Sequence, residues 1–200
     1  TEESQTEESQ TEESQTEEDQ EAVSQSGTSW ATVSKPGYEP AEENGVALFS
    51  ANALLAAPLA ETSYDFAEDI VSVTVEKQQG SQWTQGDRFT DGDTIRVTIR
   101  YEIPTDVITA DQTTMHYQLP GGIALEKKET GSVYLEDGKQ AGTYTISVDG
   151  LITIVFEQEF ANGEAFSGSL QFQGAIALAD AGEGQKIEFG GTGGTITVVP

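Results

Sequence analysis

The chain has 200 residues, a formal net charge of −26 and no cysteine. So acidic a balance argues against nucleic acid, because phosphate backbones demand clustered Lys and Arg, and against an anionic membrane surface. The lack of cysteine excludes disulfides, thiolate metal sites, cysteine nucleophiles and thioester crosslinks.

The charge is unevenly spread. Residues 1–69 hold 17 acidic side chains against one basic residue, Lys35, whereas residues 70–200 hold 18 against 8. Residues 1–20 read TEESQ three times and then TEEDQ, with no apolar side chain to offset the entropy of ordering. The expectation is a disordered, self-repelling spacer that continues as a linker to residue 45, with Trp30 and Tyr38 as isolated aromatics. The chain starts at Thr1, so a processed N-terminus is expected. Within the next segment, 46–64, lies the apolar run VALFSANALLAAPLA. It falls short of the ~20 residues a membrane helix needs, so it is expected to form a short helical lead-in ended by Pro58 and not to insert in a membrane.

From Ile70 the periodicity becomes two. Val71, Val73 and Val75 in VSVTV suggest a first strand. Asp91-Gly92 then turns into a ten-residue strand in which Ile95, Val97, Ile99, Tyr101 and Ile103 share one face and Thr94, Arg96, Thr98, Arg100 and Glu102 the other. Pro104 ends it. Further strands are read at Met115–Leu119 and Ser132–Leu135. Tyr144, Ile146 and Val148 precede Asp149-Gly150, and Ile152, Ile154 and Phe156 follow it, all on even positions. Only an odd-length connection keeps both apolar sets on one face. A three-residue loop with Gly150 left-handed is therefore predicted, placing Ile146 opposite Ile152 and Tyr144 opposite Ile154. Ala165–Leu178 reads as a long strand with a bend or bulge at Gly168 and Gly174; Lys186–Phe189 and Thr195–Val199 close the domain. Seven to nine strands without a helix, over residues 65–200, predict an antiparallel β-sandwich.

The run from Asp65 to Val75, Asp91-Gly92-Asp93-Thr94-Ile95-Arg96-Val97, Tyr117-Gln118-Leu119-Pro120, Gly142 to Ile146 with Asp149-Gly150, and Phe160-Ala161-Asn162-Gly163 before Phe166-Ser167-Gly168 together resemble the N-terminal adhesive region of Gram-positive cell-wall-anchored surface adhesins, the collagen-adhesin-like proteins. The resemblance implies that the sandwich is immunoglobulin-like, and that the chain is an exported, non-enzymatic module at the cell surface that binds a host extracellular matrix protein or glycan and is followed by stalk domains. It also implies a Lys-to-Asn crosslink aided by a buried carboxylate. Lys77 and Asn162 are the residues that would form it, but the last strand offers no Asn or Asp, and the expectation is a surface lysine and a turn asparagine with no bond between them. A ligand-free stalk or pilus domain, or a carbohydrate-binding module of an exported enzyme, are the alternatives.

Site chemistry is otherwise sparse. His116, the only histidine, reads as structural, and no nucleophile elbow, phosphate loop or zinc motif occurs, so neither catalytic residues nor a cofactor is expected. Asp87, Asp91 and Asp93 supply oxygen ligands for Ca²⁺ in a Gly-containing loop but lack the EF-hand spacing, and a solvated turn is the preferred reading. Trp83 and Phe89 are the candidates for an aromatic ligand platform. Arg96 and Arg100, two positions apart on the polar face, either receive an acidic ligand or pair with neighbouring carboxylates; the second is preferred.

Overall fold

The computed structural model describes residues 29–38, 62–178 and 184–200; the acidic repeat of residues 1–20 and the apolar run of residues 46–60 lie outside them. The described residues are all-β. In chain order the strands are β1 (Trp30–Ser34), β2 (Tyr64–Asp65), β3 (Ile70–Gln79), β4 (Gln82–Gln85), β5 (Arg88–Thr90), β6 (Thr94–Ile103) and β7 (Thr114–Gln118). They continue with β8 (Ile123–Ala124), β9 (Glu129–Leu135), β10 (Gln140–Ile146), β11 (Leu151–Phe156), β12 (Phe166–Ile176), β13 (Gln185–Glu188) and β14 (Thr195–Val199). The only helical element among the described residues is a single 3-10 turn, Ala67–Asp69, and no helix there is long and apolar enough to cross a membrane.

The strands form a mixed 11-stranded sheet, ordered β2-β7-β11-β10-β9-β1-β12-β6-β3-β4 with β8 beside β12, and a three-stranded sheet β13-β14-β5. Among the described residues fourteen strands stand where seven to nine were expected. The excess comes from short pieces with weak patterns, β2, β4, β5 and β8, and from β1, which lies in the segment read as linker. β1 alternates as a strand should, with Ala31 and Val33 buried and Thr32 and Ser34 facing out. It sits between β9, to which it is parallel, and β12, to which it is antiparallel, so it closes the two halves of the large sheet.

β6 follows its sequence pattern closely. Ile95, Val97, Ile99, Tyr101 and Ile103 are all at most 2% exposed, and β6 pairs with β12 and β3 on its two sides. The β10–β11 hairpin has the predicted register, Ile146 opposite Ile152 and Tyr144 opposite Ile154. Gly150 has φ +84° and its N–H donates to the Ser147 carbonyl, the left-handed residue that completes an odd-length loop.

The phase of β3 and a bulge in β12 do not hold, for reasons of packing. A register shift between Ile70 and Ser72 makes Val71 the extra residue of a bulge, so Ile70 and Val75 are buried while Val71 turns outward. In β12, by contrast, pairing with β6 runs unbroken from Phe166 to Ala175. The strand is not bulged at its glycines: Gly168 leaves room for the Tyr101 ring and Gly174 for the Ala124 carbonyl.

Candidate functional site

The period-two alternation of β1 carries past its end. After Ala31 and Val33, the next inward position is Lys35, which is 7% exposed. Its ammonium sits among aromatic rings, 4.1 Å from the centroid of Phe160, 5.2 Å from Tyr38 and 5.8 Å from Phe166. Phe156, Phe160 and Phe166 pack on one another with centroids 4.9–5.0 Å apart. Burial in this cage pulls the Lys35 pKa down, against the opposing field of Glu164, which favours the neutral amine.

The amine reaches the β11–β12 connection. Lys35 Nζ donates to Asn162 Oδ1 at 2.6 Å and to the Phe160 carbonyl oxygen. The Asn162 carboxamide is held from the other side by Glu164: Nδ2 donates to Glu164 Oε2 at 2.9 Å, and the Glu164 backbone N–H donates to Oδ1 at 3.2 Å. The connection is itself pinned, because Gly163 N–H donates to the Ile108 carbonyl and Asp106 N–H to the Gly163 carbonyl. A desolvated amine is thus fixed against a polarised carboxamide. An amine and a primary carboxamide in hydrogen-bond contact are the two groups from which a secondary amide forms with loss of ammonia.

A second feature lies on the outward face. The register puts Ser169 between Thr32 and Arg100, and Ser167 between Ser34 and Glu102. Small hydroxyl side chains of β1 and β12 therefore floor a trench of 350 Å³, with Arg100 and Glu102 on one wall and Glu136 on the other. Trp30 Nε1 bonded to Gln171, and Gln171 bonded to Thr98, form a ridge across one end.

Of the residues singled out in the sequence, Asn162 is at the amine cage but Lys77 is not. Lys77 pairs with Asp93 at 2.8 Å on the polar face of β3, and the lysine that meets Asn162 is Lys35. β1 precedes β3 in the chain, and its alternation continued by one residue turns Lys35 inward toward Asn162. Phe89 is no platform: it is 1% exposed, because β5 pairs with β14 and turns it into the core. Trp83 is half-buried beneath Arg96, whose guanidinium lies 4.8 Å from a Trp83 ring centroid and bonds Glu76 at 2.6 Å. Arg96 pairs as expected, whereas Arg100 is exposed in the trench wall.

The aspartates of the loop are spread over different tasks. Asp93 accepts from Thr90 N–H and pairs with Lys77, Asp91 accepts from Leu178 N–H, and the Asp87 carbonyl accepts from Thr197 N–H. Burial works to raise the Asp93 pKa, but the bonds from Lys77 and Thr90 outweigh it and hold the carboxyl low. Among the described residues no three His, Cys, Asp or Glu side chains are grouped to hold a metal ion. His116 bonds Ser63 Oγ through Nδ1 at 2.8 Å on β7.

Lys35 itself escapes sequence reasoning. Its one available signal is that it is the single basic residue of residues 1–69, against 17 acidic ones, directly after an alternating WATVS. Comparison with protein-family models, with curated proteins and with solved structures returns no match to this chain.

Proposed function

We propose that the chain is a non-enzymatic bacterial cell-surface adhesin module, an immunoglobulin-like sandwich in which Lys35 and Asn162 join as an intramolecular amide. The observation that carries this reading is the 2.6 Å approach of the caged Lys35 amine to the Asn162 carboxamide. Such a bond ties the strand at the centre of the large sheet to a connection 127 residues away. Judged by other chain crosslinks, closing a loop of that order stabilises by roughly 4–5 kcal/mol. A module loaded through its chain ends benefits from such a lock, and a cysteine-free chain has no disulfide to serve instead.

The resemblance to Gram-positive adhesins supplies the cell-wall location, the stalk domains and the host extracellular protein or glycan as partner. The trench supports a ligand-binding module over a ligand-free stalk, since its polar floor and unlike walls offer donors, acceptors and both signs of charge to an extended chain.

The test has two arms. Intact-mass measurement is expected to show the protein lighter than its sequence by one ammonia, with Lys35→Ala restoring the full mass; a full-mass wild type overturns the crosslink. Screening on matrix proteins and a glycan array is expected to give a ligand whose binding falls with Arg100→Ala, and blank screens overturn the adhesin reading.

A further inference from the structure

We infer that the trench on the outward face of β1, β12 and β6 takes an uncharged oligosaccharide, an inference that rests on the adhesin reading above and names its partner class. The first support is a contrast within one sheet face. Beside the trench, polar side chains are joined to one another: Arg96 to Glu76, and Trp30 through Gln171 to Thr98. Inside it, among the described residues, Ser34, Ser167, Ser169, Arg100, Glu102 and Glu136 make no side-chain hydrogen bond or ion pair. Unspent donors and acceptors side by side suit a ligand that offers the same groups in return. The volume of 350 Å³ falls in the range of small-ligand sites, about 300–1,000 Å³.

The lining favours a sugar over a polypeptide. A protein partner is held chiefly by large aromatic and apolar anchors seated in dry pockets. Thr32, Ser34, Ser167 and Ser169 floor the trench with small hydroxyls, which leave no such pocket. A sugar ring instead carries hydroxyls around its edge and C–H groups on its faces. The hydroxyl floor and the charged walls meet the first, while Val71, turned outward by the β3 bulge, and Trp30 at the trench end meet the second. The bond from Trp30 Nε1 to Gln171 at 2.9 Å fixes the indole beforehand, so little side-chain freedom is lost when a ring stacks on it.

Charge selects the neutral class. Arg100 shares its wall with Glu102 and stands across from Glu136, so the trench holds two carboxylates to one guanidinium, in a chain of net charge −26. An anionic sugar meets repulsion both locally and from the whole chain. A neutral one accepts from the guanidinium and donates to the carboxylates, and these charge-assisted bonds form without an ion pair having to be broken first.

The experiment passes the full chain over arrays of neutral oligosaccharides, of sialylated and sulfated ones, and of deglycosylated matrix proteins, then titrates it with the neutral oligosaccharide of strongest signal. Binding of neutral sugars is expected, unchanged between about 50 mM and about 0.5 M sodium chloride. Glu136→Gln, which weakens a wall, and Ser169→Leu, which fills the floor, are each expected to lower affinity about tenfold or more, with circular dichroism verifying the fold. In a Trp83→Phe background the remaining indole is Trp30, whose emission is expected to change on adding sugar. A bound sugar that neither variant weakens lies elsewhere and overturns the inference, as does binding confined to acidic sugars. Matrix-protein binding with blank sugar arrays overturns the oligosaccharide and leaves the adhesin reading standing, whereas blanks throughout overturn both.

Discussion

Gly168 lies directly across the β12–β6 ladder from Tyr101, and the tyrosine ring fills the space a side chain would need. A Cβ at Gly168 would stand 2.3 Å from both Cζ and Oη of the ring. Gly168→Ala is therefore expected to cost at least about 1–3 kcal/mol by overpacking, read from urea denaturation. Truncating the hydroxyl does not relieve it, because Cζ is as close as the oxygen.

The same ring ends in a wholly buried hydroxyl with no hydrogen-bond partner among the described residues, and burial alone holds its pKa far above the usual tyrosine value. An unpaired buried polar group costs about 1–3 kcal/mol. Tyr101→Phe, which removes it without changing the ring, is expected to stabilise the protein by about 1 kcal/mol, seen as a rise in melting temperature of a few degrees.

Tyr64 differs because its hydroxyl has a partner. The bond to Asp69 Oδ2 at 2.7 Å, with burial and the charge of Asp69 adding to it, raises its pKa from 10.0 to about 12. A pKa raised by folding means that the native state keeps its proton where the unfolded chain has lost it. The stabilisation is complete below pH 10 and disappears as pH rises through about 12. Denaturation between pH 9 and 12.5 is expected to show a steeper alkaline loss in wild type than in Tyr64→Phe.

Arg96 and Arg100 share a face of β6 but not a role. Arg96 bonds Glu76 and covers Trp83, so Arg96→Ala is expected to cost about 1 kcal/mol and to alter Trp83 fluorescence. Arg100, exposed on the trench wall, is expected to tolerate alanine within about 0.5 kcal/mol. Melting curves of the two variants separate the structural arginine from the exposed one.

Legibility of the fold follows how each strand is buried. β6 is readable because one of its faces is fully buried and the other wet, which writes the alternation into ten residues. The β10–β11 register is readable because parity alone forces an odd loop. β1 is not, since its inward side chains are Ala31, Val33 and then a lysine, too little apolar signal to stand out in an acidic segment. The amine cage is hidden with it: Asn162-Gly163 has the composition of a turn, and nothing local in it points to a partner 127 residues away. Phe89 misleads in the opposite sense, because β5 has three residues and no alternation from which to read its inward side.

The central place of β1 also sets a delay in its folding. The first strand among the described residues is bounded by β9 and β12, and Trp30 meets Gln171, which lies 141 residues further on. At about 5–20 residues per second of synthesis, β1 waits on the order of ten seconds before its bed exists, and when the bed forms it presents two unmatched backbone edges. A neighbouring copy carries the same five residues, so this interval is when exchange of the first strand between nascent chains competes with closure within one.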